Sequence, residues 1–199
     1  MELSHARTIR VIALLLIVSC ITQGIYTALY FSRLDVPRQL LWGSEGVIFA
    51  LLAALAGSAM VRSKRLVLVF AAIAFSAALN VVQVGVGLTL FGPFGEAAEA
   101  TPALAPVAGA IVAYSFFVYN VAKLMLGLAA LVAGMNAAAT GSRFLGGASM
   151  LAGGFAMLAN GGKIIAGGDL VAGVPLAGAT GVLATLLLAL CLLGAAGED

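Results

Sequence analysis

Residues 66–91 read LVLVFAAIAFSAALNVVQVGVGLTLF, 26 positions without one charged side chain. As a helix rising about 1.5 Å per residue, this run would extend about 39 Å, more than the ~30 Å hydrocarbon core of a bilayer. Its apolar positions do not alternate with polar ones, as those of an outer-membrane strand would. A helix satisfies its own backbone hydrogen bonds in hydrocarbon, so the stretch predicts a transmembrane α-helix.

Five more runs of the same kind lie on either side of it, at residues 9–31, 40–61, 106–133, 144–166 and 175–194. The six together take up nearly all of the 199 residues, of which 63% are hydrophobic and only 9% charged, with mean hydropathy +1.16. Soluble domains carry about 25% charged residues, so no water-facing domain fits in what remains. The expected fold is an all-α integral membrane protein: one membrane domain over residues 1–199, a six-transmembrane-helix bundle with short loops. Pro106 and Pro175 stand at helix starts, where a missing N–H costs nothing, and Pro37, Pro93 and Pro102 are expected in loops.

Lys and Arg set the orientation. Arg7, Arg10, Arg62, Lys64, Arg65 and Arg143 fall on one side, and Arg33 and Arg38 on the other with Glu96, Glu99 and Asp169. The positive-inside rule then makes both termini cytoplasmic, and the composition suits a bacterial inner (plasma) membrane. The longest outer loop is expected at residues 92–105, with Tyr30 and Trp42 as interfacial anchors. Arg7 and Arg10 followed by an apolar stretch ending at Cys20 resemble a lipoprotein signal. Apolar sequence continues to Phe31, however, which favours a plain first helix.

The residue inventory removes several chemistries. His5 is the only histidine, so His-ligated metal or haem sites within this chain lack their usual ligands, and no metal or cofactor is expected. Cys20 and Cys191 lie inside apolar runs and imply no disulfide framework. The common catalytic motifs are absent, so no catalytic residue is assigned. The net charge of +2 is scattered, which argues against nucleic acid as a partner. Membrane lipids, a second copy of the chain or partner membrane subunits are the expected contacts.

Small residues are dense in the fifth run. Ala148, Ala152, Ala156 and Asn160 recur every four positions and predict a face for close helix approach, with the fifth helix central. Its paired glycines, near Gly161 above all, predict a weakened or broken helix.

The most informative pattern is Asn-x-x-(Gln or Lys)-x-x-x-Gly, found as Asn80, Gln83, Gly87; as Asn120, Lys123, Gly127; and as Asn160, Lys163, Gly167. Each set falls on one helical face. Counting along the helices puts Gln23, Asn80, Gln83, Asn120 and Asn160 about 20–25 Å up from the inner ends, with Glu45 and Thr180 at that level. Tyr26, Tyr114 and Tyr119 lie in the same outer half, where their rings suit the mouth of a site. An unpaired charge in hydrocarbon costs several kcal/mol, so Lys123 is expected to pair with Glu45, and Lys163 to reach outward to Asp169. The candidate ligand or ion-pathway residues are Lys123, Glu45, Asn120, Asn80, Gln83, Asn160, Lys163 and Gln23.

Two classes of function follow. The first is a non-enzymatic, transporter-like membrane protein whose outer-half polar site binds or passes a small polar or amphiphilic ligand or ion. The alternative is an accessory or scaffold subunit of a larger membrane complex, in which amide side chains act only as interhelical glue. A lipid-modifying membrane enzyme is a third class, which needs Glu45, Asp169 and a lysine to converge.

Overall fold

The computed structural model describes residues 3–34, 37–167 and 176–196. It is an all-α bundle of six helices: α1 (His5–Phe31), α2 (Arg38–Arg62), α3 (Val67–Ala100), α4 (Ala105–Ala139), α5 (Arg143–Ala166) and α6 (Leu176–Ala195). Each is long and apolar enough to cross a membrane. Both chain ends lie at the same end of the bundle, where an Arg10 Nη2 donates to the Ala196 carbonyl at 3.3 Å.

The expected outer loop at residues 92–105 is instead almost wholly helical. Helix α3 continues through Pro93 to Ala100, a 3₁₀ turn covers Pro102–Leu104, and α4 starts at Ala105. Proline removes one backbone donor, leaving the Thr89 carbonyl without its usual partner. The following FGEAAEA segment consists largely of strong helix formers that carry the helix on. Pro106 does sit in the first turn of α4, as expected. Pro175, Asp169 and the side chain of Tyr30 lie outside the described residues.

Neighbouring helices pack in the order α1, α2, α3, α4, α6 and back to α1, a closed ring of five. Helix α5 packs on α4 and α6 alone, so it is peripheral and not central as its small-residue stripe suggests. The stripe is real, and Ala152, Ala156 and Asn160 are buried, but α5 has only these two neighbours to bury it against. Nor does α5 break: it runs unbroken to Ala166 and ends at Gly167, whose φ of 71° forms the left-handed cap.

The α4–α5 seam is built on glycine. A Cβ at Gly153 would lie 2.6 Å from the Gly127 carbonyl oxygen, and one at Gly146 would lie 2.6 Å from the Gly134 oxygen. The pairs Gly127/Gly153 and Gly134/Gly146 thus let two antiparallel backbones touch at points two turns apart. Between them the Ser149 hydroxyl donates to the Ala130 carbonyl at 2.8 Å.

Inside the ring, apolar and polar side chains separate by level. Ile12, Leu16, Leu52, Phe70, Ile73, Leu126, Leu188 and Leu192 form a packed apolar plug in the half nearer the chain ends. Glu45, Asn80, Lys123 and their partners stand above it, toward the opposite end.

Candidate functional site

Lys123 lies on α4, which leads into the ring interior, and only 1% of its surface is exposed. No backbone of α1 comes close to α4, yet the Lys123 side chain crosses the gap and donates from Nζ to Gln23 Oε1 at 2.7 Å. Tyr119, one turn earlier on the same helix, presents its ring 5.3 Å from Nζ. A desolvated cation over an aromatic face gains about 2 kcal/mol. The space for the lysine stem comes from α6: a Cβ at Gly181 would stand 3.0 Å from Lys123 Cδ and 3.2 Å from Cγ.

Glu45 of α2 is 6% exposed. Its Oε1 accepts a hydrogen bond of 2.7 Å from the Thr22 hydroxyl. The expected direct Lys123–Glu45 pair is therefore not the contact made. Consecutive residues of α1 take up the two groups, Thr22 the carboxyl of Glu45 and Gln23 the amino group of Lys123. The reason is geometric: α2 and α4 are not neighbours in the ring, and α1 supplies side chains that reach both. Cys20, one turn before Gln23, donates from Sγ to the Val182 carbonyl at 3.6 Å and ties the same stretch of α1 to α6.

The amides of the threefold pattern behave alike but locally. Asn80, Asn120 and Asn160 each donate to the carbonyl four residues earlier, those of Ser76, Phe116 and Ala156, at 2.9, 2.7 and 2.8 Å. Asn80 is joined to α4 through Ser76, whose hydroxyl donates to the Ala122 carbonyl at 2.8 Å. Gln83 reaches Ser115 of α4 at 3.4 Å. Asn160 also donates to the Ala177 carbonyl at 3.1 Å, across the α5–α6 seam and outside the ring. Lys163 is in the last turn of α5, half-buried and likewise outside the ring. Thr180 is bonded within its own helix.

The three pattern glycines do three different things. Gly87 makes room for the Trp42 ring, which a Cβ there would overlap, Gly127 sits in the α4–α5 seam, and Gly167 caps α5. Trp42 also meets Tyr26 and Phe91 with ring centroids 5.4 and 5.9 Å away, so it is wedged between helices at the end opposite the chain ends. The structure thus keeps Lys123, Gln23, Glu45, Asn80, Gln83 and Asn120 on the helices of the ring, with Gln83 meeting α4 at Ser115, two turns from Lys123, and leaves Asn160 and Lys163 on α5. Thr22, Ser76, Ser115 and Gly181 bond to or pack against these residues and were not anticipated. Thr22 had a signal, its position beside Gln23, whereas nothing marks Gly181 among 25 glycines.

Compared with protein-family models, curated proteins and solved structures, the chain has no significant match to any of them.

Proposed function

We propose that this is a transporter-like membrane protein in which the layer around Lys123 and Glu45 binds or passes a small polar or amphiphilic ligand or ion. One observation carries the reading: an acidic and a basic side chain are buried within membrane-spanning helices and bonded to separate neutral partners. Ionisable residues inside membrane spans are costly and mark substrate or ion pathways. A pair kept only for packing gains most by direct contact, whereas charges on separate neutral partners are free to take a ligand between them. Lys123 suits an anionic group and Glu45 a cationic group or a proton. Their partners Gln23, Thr22 and Tyr119 are only half-buried, which leaves the layer a rim on the side away from the apolar plug.

The accessory-subunit reading has its own support, since Asn80 and Asn120 spend an N–H on their own helices. Cys20 discriminates between the two readings. In a Cys191→Ser variant reconstituted into vesicles, the transporter reading expects a membrane-impermeant methanethiosulfonate to modify Cys20 from the side opposite the chain ends. It also expects Lys123→Met to change the rate. An inert Cys20 on both sides, with the thiol reacting normally after denaturation, means a sealed structural layer. Reaction only from the side of the chain ends overturns the outer-half location.

A further inference from the structure

We propose that the end of the bundle bearing both chain ends holds a second, separate site, one that binds a phosphate group. A cavity of about 270 Å³ opens there between the start of α1, the α2–α3 turn, and the ends of α4 and α6. The α2–α3 turn contributes Arg62, Lys64 and Arg65, α1 contributes His5, and α4 with the residue after it contributes Asn136 and Thr140. Among the described residues none of those lining the cavity is acidic.

Three features point to an anion, and to phosphate in particular. First, Arg62 is fixed in place, and among the described residues no acidic side chain bonds to it. Its guanidinium donates to the Ser58 and Leu3 carbonyls at 3.2 and 3.0 Å and to the Thr8 and Ser58 hydroxyls at 2.9 and 3.1 Å, all uncharged acceptors. Second, three cations within four consecutive residues repel one another, and a multivalent anion relieves that repulsion with charge-assisted hydrogen bonds. Third, His5 Nδ1 is shielded from solvent and has no hydrogen-bond partner in the structure. Its ring is held edge-on to Phe70, with centroids 6.3 Å apart. A buried polar atom without a partner calls for an explanation, and a turn of the His5 ring toward an anion in the cavity it lines would give Nδ1 an oxygen to meet. Pockets for drug-sized ligands run from about 300 to 1,000 Å³, so this one suits a compact phosphate group. Asn136, the one asparagine outside the threefold pattern, supplies a neutral donor that charge alone would not require.

The phosphate comes either from a lipid headgroup or from a free anion, and two probes distinguish them. The full-length protein in a neutral detergent is titrated with inorganic phosphate by calorimetry. Separately, it is mixed with phosphatidylglycerol and examined by native mass spectrometry for retained lipid. Binding of at least one probe is expected, phosphate indicating a free anion and retained lipid alone a headgroup. Lys64→Gln/Arg65→Gln should weaken whichever binds at least tenfold, and Asn136→Leu several-fold with no change of charge. Arg143→Gln, which removes a cation at the same end but outside the cavity, should leave binding within twofold. The proposal is overturned if the unaltered protein binds neither probe. Weakening by Arg143→Gln to the same degree as by the double variant also overturns it, because diffuse surface charge then suffices.

Discussion

Lys123 shows how a single residue is fixed by groups that are far away in sequence. Gln23 Oε1 accepts from it, the Tyr119 face lies 5.3 Å away, and Gly181 leaves room for its stem. Removing one partner of a buried charge costs more than the contact itself contributes, because the remaining group stays desolvated. Gln23→Leu should therefore lower stability by about 1–3 kcal/mol. Adding Lys123→Met to Gln23→Leu should recover much of that loss, since the methionine needs no acceptor. Thermal unfolding of the two single variants and the double variant in detergent measures the coupling, and strictly additive losses would show that the contact contributes nothing. The charged members of this layer were legible in the sequence, because a lysine or glutamate inside an apolar run has to be accounted for. Their partners were not, since which side chains meet depends on helix azimuth and ring order. The same limit explains the Asn/Gly pattern: it correctly put amides on helix faces, yet its glycines proved to be a ring contact, a helix seam and a cap.

At the scale of the helix, glycine spacing matters more than glycine number. The sequence read the pairs of α5 as points of weakness, whereas the structure divides the first two pairs between a packed member and a free one. Gly146 and Gly153 meet the backbone of α4, and Gly147 and Gly154 have open space around them. Within one helix the pairs thus make a controlled comparison. Gly146→Ala or Gly153→Ala forces two backbones apart and should cost about 1–3 kcal/mol, as overpacking does. Gly147→Ala or Gly154→Ala should be neutral or stabilise by about 0.5–1 kcal/mol through helix propensity alone. Unfolding midpoints of the four variants check this, and equal losses at all four would mean that the seam is looser than its geometry. Helix existence and approximate bounds were readable because about 20 apolar residues leave few alternatives to a span. The order of packing was not, because a small-residue face says that something approaches closely without saying how many neighbours do.

For the whole molecule the two ends differ, and the difference leads to a prediction of how the layer sits in a membrane. Helices α3 and α4 have 34 and 35 residues, whereas α6 has 20. At about 1.5 Å per residue the first two extend about 51 and 52 Å, some 20 Å beyond a ~30 Å core. Their lower ends are level with the basic turn at Arg62, so the excess projects at the other end as a helical hairpin carrying the exposed Glu96 and Glu99. The sequence missed this projection by reading Pro93 as a loop residue, but its charge count still predicts the orientation. Arg7, Arg10, Arg62, Lys64, Arg65 and Arg143 cluster at the chain ends, and Arg33 and Arg38 lie opposite. From that count the positive-inside rule predicts that the hairpin and the Lys123 layer face the outside. In a Cys20→Ser/Cys191→Ser background, Glu96→Cys and Glu99→Cys should react with an impermeant maleimide added to intact cells. Lys64→Cys and Arg143→Cys should react only after permeabilisation. The opposite pattern would invert the bundle, making the polar layer open toward the cytoplasm and exposing the basic cavity to the exterior, where cytoplasmic phosphate compounds could not reach it.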